Sequence, residues 1–317
     1  MLNTKFATWA TLLLIGAMTL IGTPAQADWP EKPVRLIVPY SPGGGFDTFA
    51  RLFAPELEKA LGTDIIVDNI PGAGGRRGIE TMMKSDADGY TIGMFNIPGM
   101  VIAGVTGKWP DVDLRDIAWV SNLTRSPYTL VLSASGGLTS ADDLCALGRP
   151  AKLATTGAGS SSHTIAVILM ESLGCAYTVV PGYKGSTETT LAVIRGEVDG
   201  MFASVDTARK FIESGDIRIG LTFSTTTLFD GVPTTTEIGQ NRLSSLAQLR
   251  MIGAPPGTPS EILAKLDAAF QAAATSASIA EWSASTKRPV TYMDADSSAR
   301  AINEQFDVMQ SFASAFQ

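Results

Sequence analysis

Three times along this chain a short apolar, β-branched run passes through a glycine-rich turn straight into a segment with helical spacing. Val34-Arg35-Leu36-Ile37-Val38 leads through Pro39-Tyr40-Ser41-Pro42-Gly43-Gly44-Gly45 into a segment carrying Phe49, Leu52, Phe53, Leu57 and Leu61. Gly62 stands where a left-handed helix cap is expected. The run 64–68 opens into Pro71-Gly72-Ala73-Gly74-Gly75-Arg76-Arg77-Gly78, with a helix to about Ser85 and a strand over 90–94 behind it. The run 152–155 opens into Thr156-Gly157-Ala158-Gly159-Ser160-Ser161-Ser162 and a helix from His163 to about Leu173. This alternation predicts an α/β fold with crossover helices. Ligands in such sheets bind beyond the carboxyl ends of the strands, so the three turns are expected at one crevice. Glycine lets backbone approach a ligand closely, and a helix start presents N–H groups without a partner in the helix. Each turn is therefore a candidate anion site.

The amino terminus reads as a cleavable secretory leader. Lys5 precedes an apolar run from Ala10 to Ile21, and Ala25-Gln26-Ala27 offers a small-residue cleavage site, predicting a cut after Ala27. The apolar run is shorter than the roughly 20 residues a membrane span needs. Residues 1–27 are accordingly set apart from the fold, and the expected location is the periplasm. The remaining chain of about 290 residues exceeds one ordinary core and predicts two lobes. The chain is expected to cross between them near 127–130 and 250–255, giving one lobe from 28–127 with 251–317 and another from 128–250. Such a hinge would let a cleft open and close.

Of the 24 basic residues, Lys5 leaves with the leader, so 23 face 31 acidic ones, a net charge near −8. No basic run exists to hold a phosphate backbone, which excludes nucleic acid as a partner. An anionic ligand would have to be held by local dipoles and a few cations against this field. Cys145 and Cys175 are the only cysteines. Cys145 falls late in a helix begun near Ala141 and Cys175 follows the next helix, each just before a strand. If those strands are parallel neighbours, both thiols lie at the end of the sheet away from the turns, and a disulfide is expected in an oxidising compartment. The alternative is two inert buried thiols.

Other chemistries fit less well. Gly107-Lys108-Trp109 fails the phosphate-loop pattern, and 72–78 misses the dinucleotide spacing because Arg77 stands in it. His163, the single histidine, adjoins Ser160, Ser161 and Ser162, but no nucleophile elbow is present, so a serine hydrolase ranks below a binding protein. One histidine and two separated cysteines form no metal cluster, and no cofactor is implied.

The turns and their flanks resemble the periplasmic binding components of tripartite tricarboxylate transporters, the Bug proteins. The likeness runs through Trp29-Pro30 with Lys32-Pro33, Pro42 to Gly45 with Asp47 and Ala50-Arg51, and Asn69 followed by Pro71 to Gly75 with Gly78. It continues through Asp88-Gly89-Tyr90-Thr91, Gly157-x-Gly159-Ser160 with His163, Pro181-x-Tyr183-Lys184-Gly185 and Gly196-x-Val198-Asp199. Pro233-Thr234 with Glu237 and Gly239, then Pro255-x-Gly257-Thr258-Pro259, complete it. The resemblance implies a two-lobe periplasmic binding fold of the type II kind, each lobe a mixed sheet flanked by helices, closing over a small organic carboxylate. It also implies integral-membrane transporter subunits as partners, or alternatively a sensor kinase, and the protein is expected to be a monomer.

Under this resemblance the turns 41–47 and 71–78 hold a carboxylate through N–H groups and water, and 156–163 faces them. The candidate ligand residues are Tyr40, Ser41, Gly44, Gly45, Phe46 and Asp47 on the first turn, and Gly72, Ala73, Gly74 and Arg76 on the second. Thr156, Gly157, Gly159, Ser160, Ser161 and His163 follow on the third, with Tyr183, Ala203 and Ser204 beyond it. Where relatives carry a small hydroxyl residue this chain has Phe46, and Arg76-Arg77 replace an Asn and an aliphatic residue. Ala203-Ser204 stand where many relatives have an Asp. A cleft-mouth Phe46 and a missing carboxylate at Ala203 favour a non-amino acid with an apolar or aromatic body.

Overall fold

A computed structural model describes residues 29–109 and 112–316. The leader and its cleavage site lie outside those residues. The first lobe opens with β1 (Val34–Val38), α1 (Gly45–Leu61), β2 (Ile65–Asn69), α2 (Arg76–Met83), β3 (Thr91–Ile97) and α3 (Gly99–Val105). The chain then runs through the long strand β4 (Ala118–Ser133), α4 (Ala141–Cys145), β5 (Ala151–Ala154), α5 (Ser161–Leu173) and β6 (Tyr177–Val180). After α6 (Ser186–Ile194), β7 (Gly200–Ser204), α7 (Val205–Glu213) and β8 (Ile217–Thr222), it returns through β9 (Ala247–Ala254). Helices α8 (Ser260–Ala274), α9 (Ala277–Thr286) and α10 (Ala295–Gln310) complete the chain.

The strands form one nine-stranded mixed sheet in the order β2-β1-β3-β9-β4-β7-β5-β6, with β8 also on β4. Its two wings are parallel, β1 with β2 and β3, and β5 with β6 and β7. The centre is antiparallel, because β4 and β9 are the strands that carry the chain across and back. β4 changes partner at one peptide bond: Pro127 is opposite Ala247 of β9, and Tyr128 is opposite Ser204 of β7. The sheet thus reads as two wings sharing a two-stranded spine.

Helix α1 forms where the spacing predicts it. Phe46, Phe49, Phe53 and Leu57 are buried on one face, against Leu266 and Phe270 of α8, and Gly62 ends the helix at φ 70°. Each such side chain stabilises the lobe by about 1.5–3 kcal/mol on burial. A smaller core in the other wing gathers Val131, Ala154, Val193 and Met201. A third and larger core ignores the division, running from Phe95 and Trp119 through Leu130 and Phe202 to Ile165 and Met309. Helices α3, α5 and α10 therefore join the lobes on one face of the sheet. Cys145 ends α4 and Cys175 follows α5, and the two are disulfide-bonded with Cα atoms 5.0 Å apart. Because β5 and β6 are parallel neighbours, the bond lies at the end of the sheet opposite the glycine turns.

Candidate ligand-binding site

Helix caps set the first two glycine turns apart from the third. Among the described helices, α4, α5, α9 and α10 begin at Ser or Asp residues whose side chains accept a backbone N–H. Helices α1, α2 and α6 begin instead at Gly44, Gly75 and Gly185, which supply no side-chain cap. Their first N–H groups keep the partial positive charge of a helix start. Gly75 holds φ at 102°, and a Cβ there would stand 2.6 Å from Met100 Cε and 3.3 Å from the Tyr40 hydroxyl. Only glycine allows that turn to lie so close to the first one.

The turns of the two lobes touch. A Cβ on Gly74 would lie 3.4 Å from the Ala158 carbonyl oxygen, and one on Gly99 would lie 2.6 Å from Ser161 N. A chain of hydrogen bonds crosses this contact. Gly99 N–H donates to Ser161 Oγ at 3.0 Å, and Ser161 donates to Asn96 Oδ1 at 2.8 Å. Asn96 Nδ2 donates to the Tyr40 hydroxyl at 2.9 Å, which donates in turn to the Gly74 carbonyl at 3.3 Å. Each hydroxyl in the chain accepts one bond and donates one, so the bonds polarise one another in the same sense. Burial pushes the Tyr40 phenol well above its ordinary pKa against the opposing bond from Asn96, so it stays protonated.

Between the β1–α1 turn and the start of α7, the spine strand β9 contributes the buried Arg250. Its Nη2 is 2.9 Å from Asp206 Oδ2 and 3.2 Å from Gln248 Oε1, and its Nη1 is 2.9 Å from Thr124 Oγ1. The guanidinium lies 5.1 Å from the Phe46 ring centre and 4.4 Å from that of Phe49. A Cβ on Gly45 would meet Nη2 at 3.3 Å. Arg250 is 1 % exposed, and Asp206 is buried with it. Burial alone would raise the Asp206 carboxyl, but the Arg250 charge, with the hydroxyls of Ser204 and Ser126, holds it below the ordinary value. Tyr128, fully buried nearby, has its phenol raised by burial against Ser161 and the Arg250 charge.

Ser41 and Gly44 stand exposed at the first turn, Gly45 half-buried beside Arg250. Gly72 and Ala73 are exposed on the second turn, where Gly74 meets Ala158 and Gly159 of the third. Ser160 caps α5 by accepting the His163 N–H at 3.2 Å, and Thr156 N–H donates to Ser162. Tyr183 packs on the outer core of its own wing, and Ser204 donates to Gln248 Oε1 at 2.7 Å.

One expectation, that for Phe46, is corrected. Phe46 is not at a cleft mouth: it is 7 % exposed, with Tyr40 at 4.9 Å and Arg250 over its face, because it shares the apolar face of α1 with Phe49 and Phe53. The Asp47 carboxylate is turned inward, accepting the Gly43 N–H at 2.8 Å and pairing with Arg51 at 3.0 Å. The ring of His163 faces the C-terminal segment, edge-on to Phe316 at 5.9 Å, with Nδ1 buried and unbonded. Burial and the nearby charge of Lys108 lower its pKa. Arg76 pairs with Glu80 and donates to the Lys108 carbonyl. Ala203 carries no carboxylate, but Asp206 supplies one just beyond it. Asn96, Tyr128, Asp206, Gln248 and Arg250 were not singled out by the sequence. Arg250 alone carried a clear signal, a charge set between Leu249 and Met251 in an apolar run.

Residues 49–314 match the receptor family of tripartite tricarboxylate transporters. Protein BugT of Bordetella pertussis is 31% identical over 270 residues, which are 82% of this chain and 82% of that protein. Among solved structures, Rpa4515 of R. palustris with adipate matches with a TM-score of 0.77 at 25% identity, covering 91% of this chain and 98% of that one. MatC of Rhodopseudomonas palustris with bound malate matches with a TM-score of 0.79 at 24% identity, covering 90% and 99%.

Proposed function

Because this chain belongs to the receptor family of tripartite tricarboxylate transporters, we propose that it captures a small organic carboxylate in the periplasm and hands it to integral-membrane transporter subunits. The observation that carries the reading is the meeting of glycine turns from both lobes, Gly74 against Ala158, beside helix starts that have no side-chain cap. The adipate of Rpa4515 and the malate of MatC are ligands of the class such a site would take. We take the lobes as 28–127 with 251–317, and 128–250, hinged where β4 exchanges β9 for β7. Binding rather than catalysis also accounts for His163, whose ring packs on Phe316 while the hydroxyl of Ser161 is committed to Asn96. With Phe46 covered, the reading specifies the carboxylate and drops the aromatic body. No helix among the described residues is long and apolar enough to cross a membrane.

Amide hydrogen exchange tests the location. With malate or adipate at saturation, the segments 41–47, 72–76 and 156–161 should become protected together. Protection confined to one lobe, or found away from all three turns, would contradict the reading.

A further inference from the structure

We propose that Arg250 reads the charge of the ligand: its guanidinium pairs directly with the bound carboxylate, and Asp206 is the counter-ion that holds it in place. The inference rests on the carboxylate reading above and adds to it a charged partner. Arg250 is the one cation among the buried charged residues described, the others being Asp47 and Asp206. Its Nη2 reaches both the β1–α1 turn at Gly45 and the start of α7 at Asp206, so it spans the cleft floor from one lobe to the other.

Its hydrogen bonding is incomplete. Asp206, Gln248 and Thr124 serve the two terminal nitrogens, while Nε is buried with no partner among the described residues, as is Asp206 Oδ1. A buried donor without an acceptor is costly, and native proteins rarely keep one without a reason. The electrostatics point the same way. The guanidinium sits against the uncapped start of α1, so a full positive charge and the positive end of a helix share one place. Asp206 balances the guanidinium from the α7 side alone. An anion entering at the β1–α1 turn would meet N–H groups of α1 and the planar fork of Arg250 together, the geometry that suits a carboxylate best. The rings of Phe46 and Phe49 hold the fork's plane and exclude water from it.

The test is calorimetric titration of the mature chain with succinate, adipate and benzoate, each beside the corresponding amide. Wild type should bind at least one acid and prefer it strongly to its amide. Arg250→Met should weaken that acid by about 30-fold or more and collapse the acid-over-amide preference, with Arg250→Lys recovering part of both. Arg250→Met/Asp206→Leu removes both charges, so it keeps the test valid if the single variant fails to fold. A folded variant, single or double, that retains the wild-type preference overturns the role of Arg250 and leaves the carboxylate reading standing. Equal weakening of acid and amide assigns Arg250 to structure alone and also overturns it. Wild type that binds none of the acids overturns both readings.

Discussion

Ser161, at the start of α5, donates its hydroxyl to Asn96 at the end of β3 and accepts the N–H of Gly99, so one side chain of one lobe serves two groups of the other. All three groups are buried. Ser161→Ala would leave the Gly99 N–H and the Asn96 carbonyl without partners, and should destabilise the protein by about 1–3 kcal/mol. It should also interrupt the hydrogen bonds running on to Tyr40 and Gly74. Urea unfolding measures the first effect; a midpoint unchanged from wild type would contradict this arrangement.

The Arg250–Asp206 pair gives stability a defined acid limit. Burial raises the Asp206 carboxyl, but the charges of Arg250 and Arg288 and the hydroxyls of Ser204 and Ser126 together outweigh it and hold the carboxyl below the ordinary 3.8 in the folded protein. A carboxyl depressed on folding contributes stability above its unfolded pKa and loses it as the pH falls through the folded value. Acid should therefore destabilise wild type below about pH 4. Asp206→Asn should lose about 3–5 kcal/mol at neutral pH, since it leaves a buried guanidinium unpaired, and should depend less on pH in the acid range. Unfolding midpoints of both proteins across that range decide it. Parallel pH profiles would show that Asp206 is not the group responsible.

Local pattern made much of this fold legible. The first strand and its helix with the Gly62 stop, the turn at 72–78 and the parallel strands that the two cysteines precede all follow from neighbours in sequence. What escaped depends on partners distant in the chain. Phe46 looked like a mouth residue because a position in the first turn of a helix reveals its face only once the helix is docked. Arg250 was visible only as a charge in an apolar strand, with nothing to mark it as part of a site. Its counter-ion on α7 is brought to it only where β4 changes partner between Pro127 and Tyr128. The continuous core through α3, α5 and α10 was hidden for the same reason: α3, at Gly99–Val105, is too short and too uniformly apolar to reveal what it packs against.

The disulfide should matter to stability and leave the ligand site untouched. Cys145 and Cys175 enclose a loop whose constraint in the unfolded chain corresponds to about 3–4 kcal/mol. Cys145→Ser/Cys175→Ser should lose stability of that order while keeping its ligand affinity, because the bond lies at the end of the sheet opposite the glycine turns. Protein from the periplasm should show no titratable thiol after denaturation. Two thiols would contradict the bond, and a large loss of affinity in the double variant would contradict its distance from the site.

Removal of the imidazole should likewise spare binding. The ring of His163 packs on Phe316, and its depressed pKa keeps it neutral at pH 7. His163→Ala should remain folded and bind its acid within a few-fold of wild type. Ester hydrolysis by wild type that vanishes in this variant would replace the receptor with an enzyme.

The most direct measurement is a thermal-stability titration of the wild-type mature chain with malate, adipate, citrate and benzoate. A cleft of this kind should be saturably stabilised by at least one of them. At about 100 times the dissociation constant the gain should be about 2.7 kcal/mol, a rise of a few degrees in Tm for a chain of this size. A Tm that stays constant with every acid, up to millimolar concentration, would contradict the carboxylate receptor outright.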